Sequence, residues 1–407
     1  MKKIVLYLII FFAFGVGGTL QFLGILSNTI TTFFLTMLAM IPVVLHIVRR
    51  GKLRVDNAHI ILALLSFHIV LSGILNGKGL VLILFYFLII LLPYSLFNLL
   101  NIYLNERTLR KTMIILTYIG IIQLPIIIFQ SVIAKTAVKF AARPISDYDF
   151  KFGTFFLAND HALGFFIVAL ITFLLFNPAS GKVIKNRNFV VVWLCLTVLV
   201  SNSKVTYLTL AFVLGTFFIR YITVKHIIYS SILLVITSIV VLSTNLRHIV
   251  EYNINDIQHN LQVERAVGDS RIIYEAGFGG RATVLHVWFN DPLKIIGEGP
   301  NSFFNPVAKD FIYSRVFGQF LWIYYDLGVI GLILTILFMI AMARKYRKTT
   351  KYHLVLLVIF LVYAFMHNVL QDLASSLIFF FFLASGNITV NPEPALPQDK
   401  NLEYELS

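Results

Sequence analysis

Long runs of predominantly apolar residues recur along the chain and restrict its fold more than any other feature. They fall at about 4–26, 30–48, 58–76, 80–98, 113–133, 154–176, 189–201, 204–221, 226–245, 317–343, 354–369 and 373–386. A helix of roughly 20 such residues spans a hydrocarbon core, because it satisfies its own backbone hydrogen bonds where water is absent. The pattern therefore predicts an all-α, polytopic membrane protein with about 12 transmembrane helices. The runs at 189–201, 354–369 and 373–386 are shorter than the rest. Composition agrees: 58% of the 407 residues are apolar and 13% are charged, too few to cover a soluble surface.

Charge gives the expected topology. Met1-Lys2-Lys3 precedes an apolar run to Leu26 that is longer than a cleaved leader and lacks a small-x-small site, so it is expected to stay as the first span. With that end inside, strict alternation puts Arg49, Arg50, Lys52 and Arg54 in the cytoplasm. It does the same for Arg107, Arg110 and Lys111, for Lys182, Lys185 and Arg187, and for Arg220 and Lys225. The last such cluster is Arg344, Lys345, Arg347, Lys348 and Lys351. The short outward loops offer Lys78 alone, and merging the seventh and eighth spans would expose the 344–351 cluster. The net charge of +14 thus orients the chain and does not suggest nucleic acid. A single cysteine, Cys195, excludes an internal disulfide and a cysteine-based zinc site. The expected divisions are nine spans over 1–245, a large extracytoplasmic loop over 246–316, three spans over 317–386, and a polar cytoplasmic tail over 387–407.

On this topology three polar clusters share the outer face: Asn159, Asp160 and His161; Ser201 to Lys204; and His367, Asn368, Gln371 and Asp372. Each alone reads as a helix cap or an interfacial group. Together, beneath a loop of some seventy residues, they favour an outward cavity, since polar groups at membrane depth line pathways and long loops carry chemistry. In that loop Arg281 follows Gly279-Gly280 and opens a stretch with Ala282, Leu285 and Trp288 on one helical face. An arginine at a helix start can clamp a phosphate, although a solvated arginine on a loop helix is the simpler reading. Gly297-Glu298-Gly299 lacks the strand–helix context of a nucleotide site.

The pattern over roughly 150–385 resembles the O-antigen ligase and polymerase superfamily of bacterial envelope glycosyltransferases. The residues that carry the likeness are Gly280-Arg281, Asp291-Pro292, Gly297-Glu298-Gly299 with Phe303, and Gly328-Val329-Ile330-Gly331. Upstream they are Gly153-Thr154-Phe155 with Asn159, and Ser201-Asn202-Ser203-Lys204, where lysine replaces the family's arginine. The resemblance implies a GT-C-like fold in the bacterial inner membrane, with a site facing outward. It also implies a donor glycan on undecaprenyl pyrophosphate and an acceptor hydroxyl on a second lipid-linked repeat. Lys204 and Arg281 are implied as the catalytic cations, and Asn159, Asp160, His161 and His367 of the converging clusters, with Arg315, are the expected substrate-binding residues. The base stays open among Asp160, His161, Asp291, Glu298 and His367. No metal and no nucleotide cofactor are expected, and a chain-length regulator is a partner by the same analogy.

Ligases of this superfamily carry a His-Asn eleven residues before the first glycine of Gly-x-x-Gly. Here those positions are Phe317 and Gly318, which favours a polymerase of O-antigen or capsule over a ligase. A lipid-linked oligosaccharide flippase is the rival of another class. It needs charge along a central path and has little use for the long loop. A membrane scaffold without chemistry is the plainest alternative.

Overall fold

The computed structural model describes residues 2–25, 28–50, 57–140, 150–155, 161–201, 203–219, 292–303, 318–344, 350–370 and 372–388. Among these the regular structure is helical throughout. Helix α1 (Lys2–Phe11) continues through a π-helical turn (Phe12–Val16) into α2 (Gly17–Phe22). There follow α3 (Asn28–Arg50), α4 (Asn57–Leu75), α5 (Leu80–Tyr103), α6 (Glu106–Ala137) and α7 (His161–Phe176). The chain continues with α8 (Ser180–Val183), α9 (Arg187–Ser201), α10 (Lys204–Phe218), α11 (Gln319–Arg344), α12 (Thr350–Met366) and α13 (Leu373–Ser385). A helix lies on every apolar run predicted above except 226–245, which falls outside the described residues together with most of the 246–316 loop and the tail from 389.

Among the described residues, four helical stretches are each long and apolar enough to cross a membrane: Val5–Phe22, Asn57–Leu75, Glu106–Phe140 and Gln319–Arg344. Apolar side chains fill the core and also cover much of the helix surface. Phe34, Phe67, Ile74 and Val132 stand well exposed on their helices, whereas Thr36, Ser72, Thr112, Gln123, Thr172, Gln319 and Asp326 are buried. A surface of large apolar side chains, with polar groups buried among the helices, is what lipid selects, so the chain is an all-helical, membrane-embedded protein.

Helices α7 and α13 form the centre. They are apolar on nearly every side, as a helix buried all round must be. Helices α9, α10, α12 and α13 pack around α7. Most buried hydroxyls need no functional explanation: those of Thr112, Thr117, Thr172, Thr197 and Thr335 each donate to the carbonyl four residues earlier. Backbone groups freed by irregularities also find partners. Pro125 in α6 has no N–H to give the carbonyl of Ile121, and the indole of Trp193 donates to it at 2.9 Å.

The entry to α7 differs from the expected start of the sixth span at 154. Gly153 adopts φ 63, and the chain turns before the helix begins at His161. Two glutamines, Gln123 and Gln130, hold this turn from one face of α6. Gln130 receives the Gly153 N–H at 2.8 Å and donates to its carbonyl at 2.8 Å. Gln123 receives the Thr154 N–H at 2.9 Å and donates to its hydroxyl at 3.0 Å. That hydroxyl in turn donates at 2.6 Å to the carbonyl of Phe14 in the π-helical turn. The Gly153-Thr154-Phe155 segment therefore acts as a brace between α6, the first helix and α7.

Candidate functional site

The starts of α7, α11 and α13 and the end of α12 meet at one end of the bundle. His367 follows the last turn of α12, and its carbonyl accepts the Gln319 N–H at 3.1 Å, at the start of α11. The Gln319 side chain accepts the Leu370 N–H at 3.0 Å, fixing the turn into α13. His161, the first residue of α7, lies flat against His367, with ring centroids 4.7 Å apart and planes 13° from parallel. Both imidazoles are about 95% buried, at 6% and 5% exposure. One turn earlier on α12, Tyr363 shares a 2.9 Å hydrogen bond with Thr206 of α10. The start of α10 thus joins the same end, and Lys204 stands exposed in its first turn.

The structure therefore brings His161, His367 and the helix start bearing Lys204 to one place. Asn159, Asp160, Arg281 and Arg315 lie outside the described residues, as do Asn202, Asp291 and Gln371. Two polar residues of the predicted clusters have local roles. Asp372 caps α13 by accepting the Ser375 N–H at 2.8 Å and its hydroxyl at 2.6 Å, and Ser201 donates to the Val198 carbonyl at 2.8 Å.

The two glycine motifs meet each other. Helix α11 is broken at Gly328, where φ is 68 and ψ is −169. Segment 292–303 pairs its backbone with the break. Glu298 N and Gly299 N donate to the carbonyls of Tyr325 and Asp326 at 3.0 and 2.9 Å. Val329 N and Ile330 N return bonds of 2.9 and 3.3 Å to Lys294 and Ile295. A Cβ on Gly297 would overlap the Asp326 carbonyl, and one on Gly328 would overlap that of Ile295. The glycines let two backbones touch, and the N–H groups of Glu298 and Gly299 are already engaged. They are not a phosphate cradle.

Helix α4 and the residue just past its end complete the repair with three side chains at four-residue spacing. His68 Nε2 lies 2.8 Å from the Leu327 carbonyl, and Ser72 donates to the carbonyls of Ile296 and Asp326 at 3.0 and 3.3 Å. Asn76 donates to the Gly297 carbonyl at 3.1 Å. Irregular backbone within a membrane protein persists only where protein supplies such partners.

Inside the break sits Asp326, which sequence reasoning missed because the spans read as nearly uncharged at depth. It is 0% exposed. Its carboxylate accepts the Trp322 indole N–H at 2.6 Å and the backbone N–H groups of Asn301 and Phe303 at 3.1 and 2.8 Å. The available signal was an acid two residues before a glycine within an apolar run. Glu298, one of the candidate bases, pairs with Lys294 at 2.8 Å, and that ammonium also lies 5.0 Å from the Tyr325 ring centroid.

No family model, no curated protein and no solved structure matches this chain. Fold and site together define an all-helical, membrane-embedded protein with a polar cluster gathered at one end of its bundle.

Proposed function

We propose that this chain is a polysaccharide polymerase that joins undecaprenyl-pyrophosphate-linked oligosaccharide repeats at the outer face of a bacterial cytoplasmic membrane. The observation that carries the reading is the meeting of His161, His367 and the Lys204 helix start at one end of the bundle. These residues are 206 positions apart at their widest in sequence, between His161 and His367. Helix capping alone does not account for two imidazoles stacked at the end of the bundle that Tyr363 links to a lysine-bearing helix start.

The chemistry needed at such an end is simple to state. An acceptor hydroxyl oxygen forms a bond to the anomeric carbon of the donor glycan, and the bond from that carbon to the pyrophosphate oxygen breaks. The hydroxyl proton passes to a base, and negative charge grows on the leaving pyrophosphate. A fixed cation beside that oxygen lowers the barrier most where water is partly excluded. Lys204 offers an ammonium at the positive end of a helix dipole. Arg281 is the second cation in this reading. Of the candidate bases, His161 and His367 share the end of the bundle with Lys204, while Glu298 is held by Lys294.

Two observations support polymerisation over its rivals. A Cβ on Gly318 would overlap the Phe365 carbonyl, so the asparagine of a ligase-type His-Asn pair has no room there. Helix α7 fills the centre of the described bundle with apolar side chains, which leaves no charged path of the kind a flippase uses.

The test is the size distribution of surface glycan in a deletion strain carrying either the wild-type or the Arg281→Ala gene. The expected result is a ladder collapsed to a single repeat, restored by the wild type and not by the variant. A full ladder retained on its lipid carrier would make the protein a ligase. Repeats trapped facing the cytoplasm would make it a flippase.

A further inference from the structure

We propose that Asp326 is a positioning residue, whose carboxylate holds segment 292–303 against the broken helix α11. The inference stands on the geometry of the break, and its consequence for activity rests on the polymerase reading. Apolar packing is a poor candidate for the fastening. Leu293 and Ile295 are exposed, and Phe303, against Tyr325, is the well-buried large apolar side chain of the segment. Hydrogen bonds do the fastening, and Asp326 takes two of them from backbone N–H groups two residues apart.

A carboxylate suits this task better than any neutral group. It accepts several donors at once, and a bond to an ionised acceptor is about twice as strong as a neutral one. With the segment lifted away, Trp322 would be the carboxylate's remaining hydrogen-bond donor among these three, in a setting where an under-compensated buried charge is costly. Segment and carboxylate therefore stabilise each other. Lys78, whose side chain lies against Gly299 from the α4–α5 turn, adds a cation on the outer side of the segment. His68, Ser72 and Asn76 hold carbonyls of the segment and of the break, but none of them holds Asn301 or Phe303. The backbone of the stretch that leads away toward 304 is tied down through Asp326, beside one side-chain bond from Asn301 to the Leu82 carbonyl at 3.2 Å.

An amide in place of the carboxylate keeps the shape and loses the function. It has one acceptor oxygen, whereas the three donors approach two: Phe303 N–H on Oδ1, and Asn301 N–H with the Trp322 N–H on Oδ2. Either orientation of the amide sets its NH2 against at least one donor. Hydrogen–deuterium exchange of the full-length protein in lipid nanodiscs reads this directly. In Asp326→Asn, amides of 298–303 are expected to exchange about tenfold faster or more, while peptides of α7 exchange as in the wild type. Trp322→Phe keeps both backbone bonds and should change the same amides by less than about threefold. Asp326→Glu keeps the charge one methylene out of place and should give an intermediate rate.

Wild-type exchange in Asp326→Asn, or an equal acceleration in α7, would overturn the proposal. So would Trp322→Phe releasing the segment as fully as Asp326→Asn. Should Asp326→Asn not be recovered folded, the glutamate and phenylalanine variants decide the matter by the same criteria. With purified protein and lipid-linked repeats, Asp326→Asn should raise KM about tenfold with kcat changed by less than about threefold, because the displaced segment lies in the chain between Arg281 and Arg315, both assigned to substrate in the polymerase reading. If the wild type makes no polymer, the polymerase reading fails while the exchange result still judges the role of Asp326.

Discussion

Gly328→Ala lowers the stability of the folded protein by at least about 3 kcal/mol, seen as a fall in unfolding temperature in detergent. Two costs add. The backbone at Gly328, with φ 68 and ψ −169, occupies a region that residues with a Cβ essentially do not adopt. The added methyl would also run into the Ile295 carbonyl and lie 2.7 Å from Gly297 N. No rotamer relieves either, since the methyl has none and both obstacles are backbone. The segment must retreat, which breaks the bonds from Val329 and Ile330 to Lys294 and Ile295. Gly215→Ala is the control, because nothing lies within 4 Å of a Cβ there and alanine suits a helix better than glycine by about 1 kcal/mol. Equal stability of the two variants would mean that the two backbones do not touch.

That contact also marks the limit of what the sequence could reveal. The apolar runs were legible because a membrane helix writes itself in about 20 consecutive residues and asks nothing of distant ones. The break in α11 is written in three places: in Gly328, in Gly297 some thirty residues earlier, and on α4. His68 and Ser72 on α4, with Asn76 just past its end, recur every four residues in a largely apolar stretch, so they could have been read as one polar face. What it faces could not, because its targets are backbone carbonyls that any sequence possesses. The glycines invited a ligand reading for the same reason. Glycine permits close approach, and the residue type does not say whether a phosphate or another stretch of chain approaches.

Asp326 was hidden by a different assumption. A lone acid in an apolar run reads as an interruption to be tolerated, whereas here it is the group that collects three donors around a deliberate gap in the helix. The polar end fared better. His161 and His367 were grouped from topology alone, and their rings prove to be in contact. Asp372 was grouped with them and proves to be a cap, the ordinary role of an aspartate just before a helix. Alternation of spans sorts residues by side and by depth, which is enough to gather the two histidines. It carries no information about hydrogen-bond partners within a side, which is what separates a cap from a site residue.

Lys204 gives the sharpest functional test among the described residues. On the polymerase reading, Lys204→Ala should reduce polymer formation by a factor of about 10²–10³, the usual cost of removing one donor that stabilises developing charge. Lys204 is exposed in the first turn of α10, so the substitution should leave stability within about 0.5 kcal/mol of the wild type. Loss of activity without loss of fold is thus the expected pair of results. Lys204→Arg separates charge from geometry. An ammonium acts as a compact point charge, and a guanidinium carries the same charge on a planar fork that binds phosphate oxygens in pairs. If lysine serves by charge beside a leaving pyrophosphate, arginine should retain most of the polymer ladder. If Lys204→Arg is folded and inactive, the ammonium has a role that only its compact shape allows. If Lys204→Ala makes a normal ladder, Lys204 has no part in stabilising the leaving group, and the polymerase reading loses the cation it places at the polar end of the bundle.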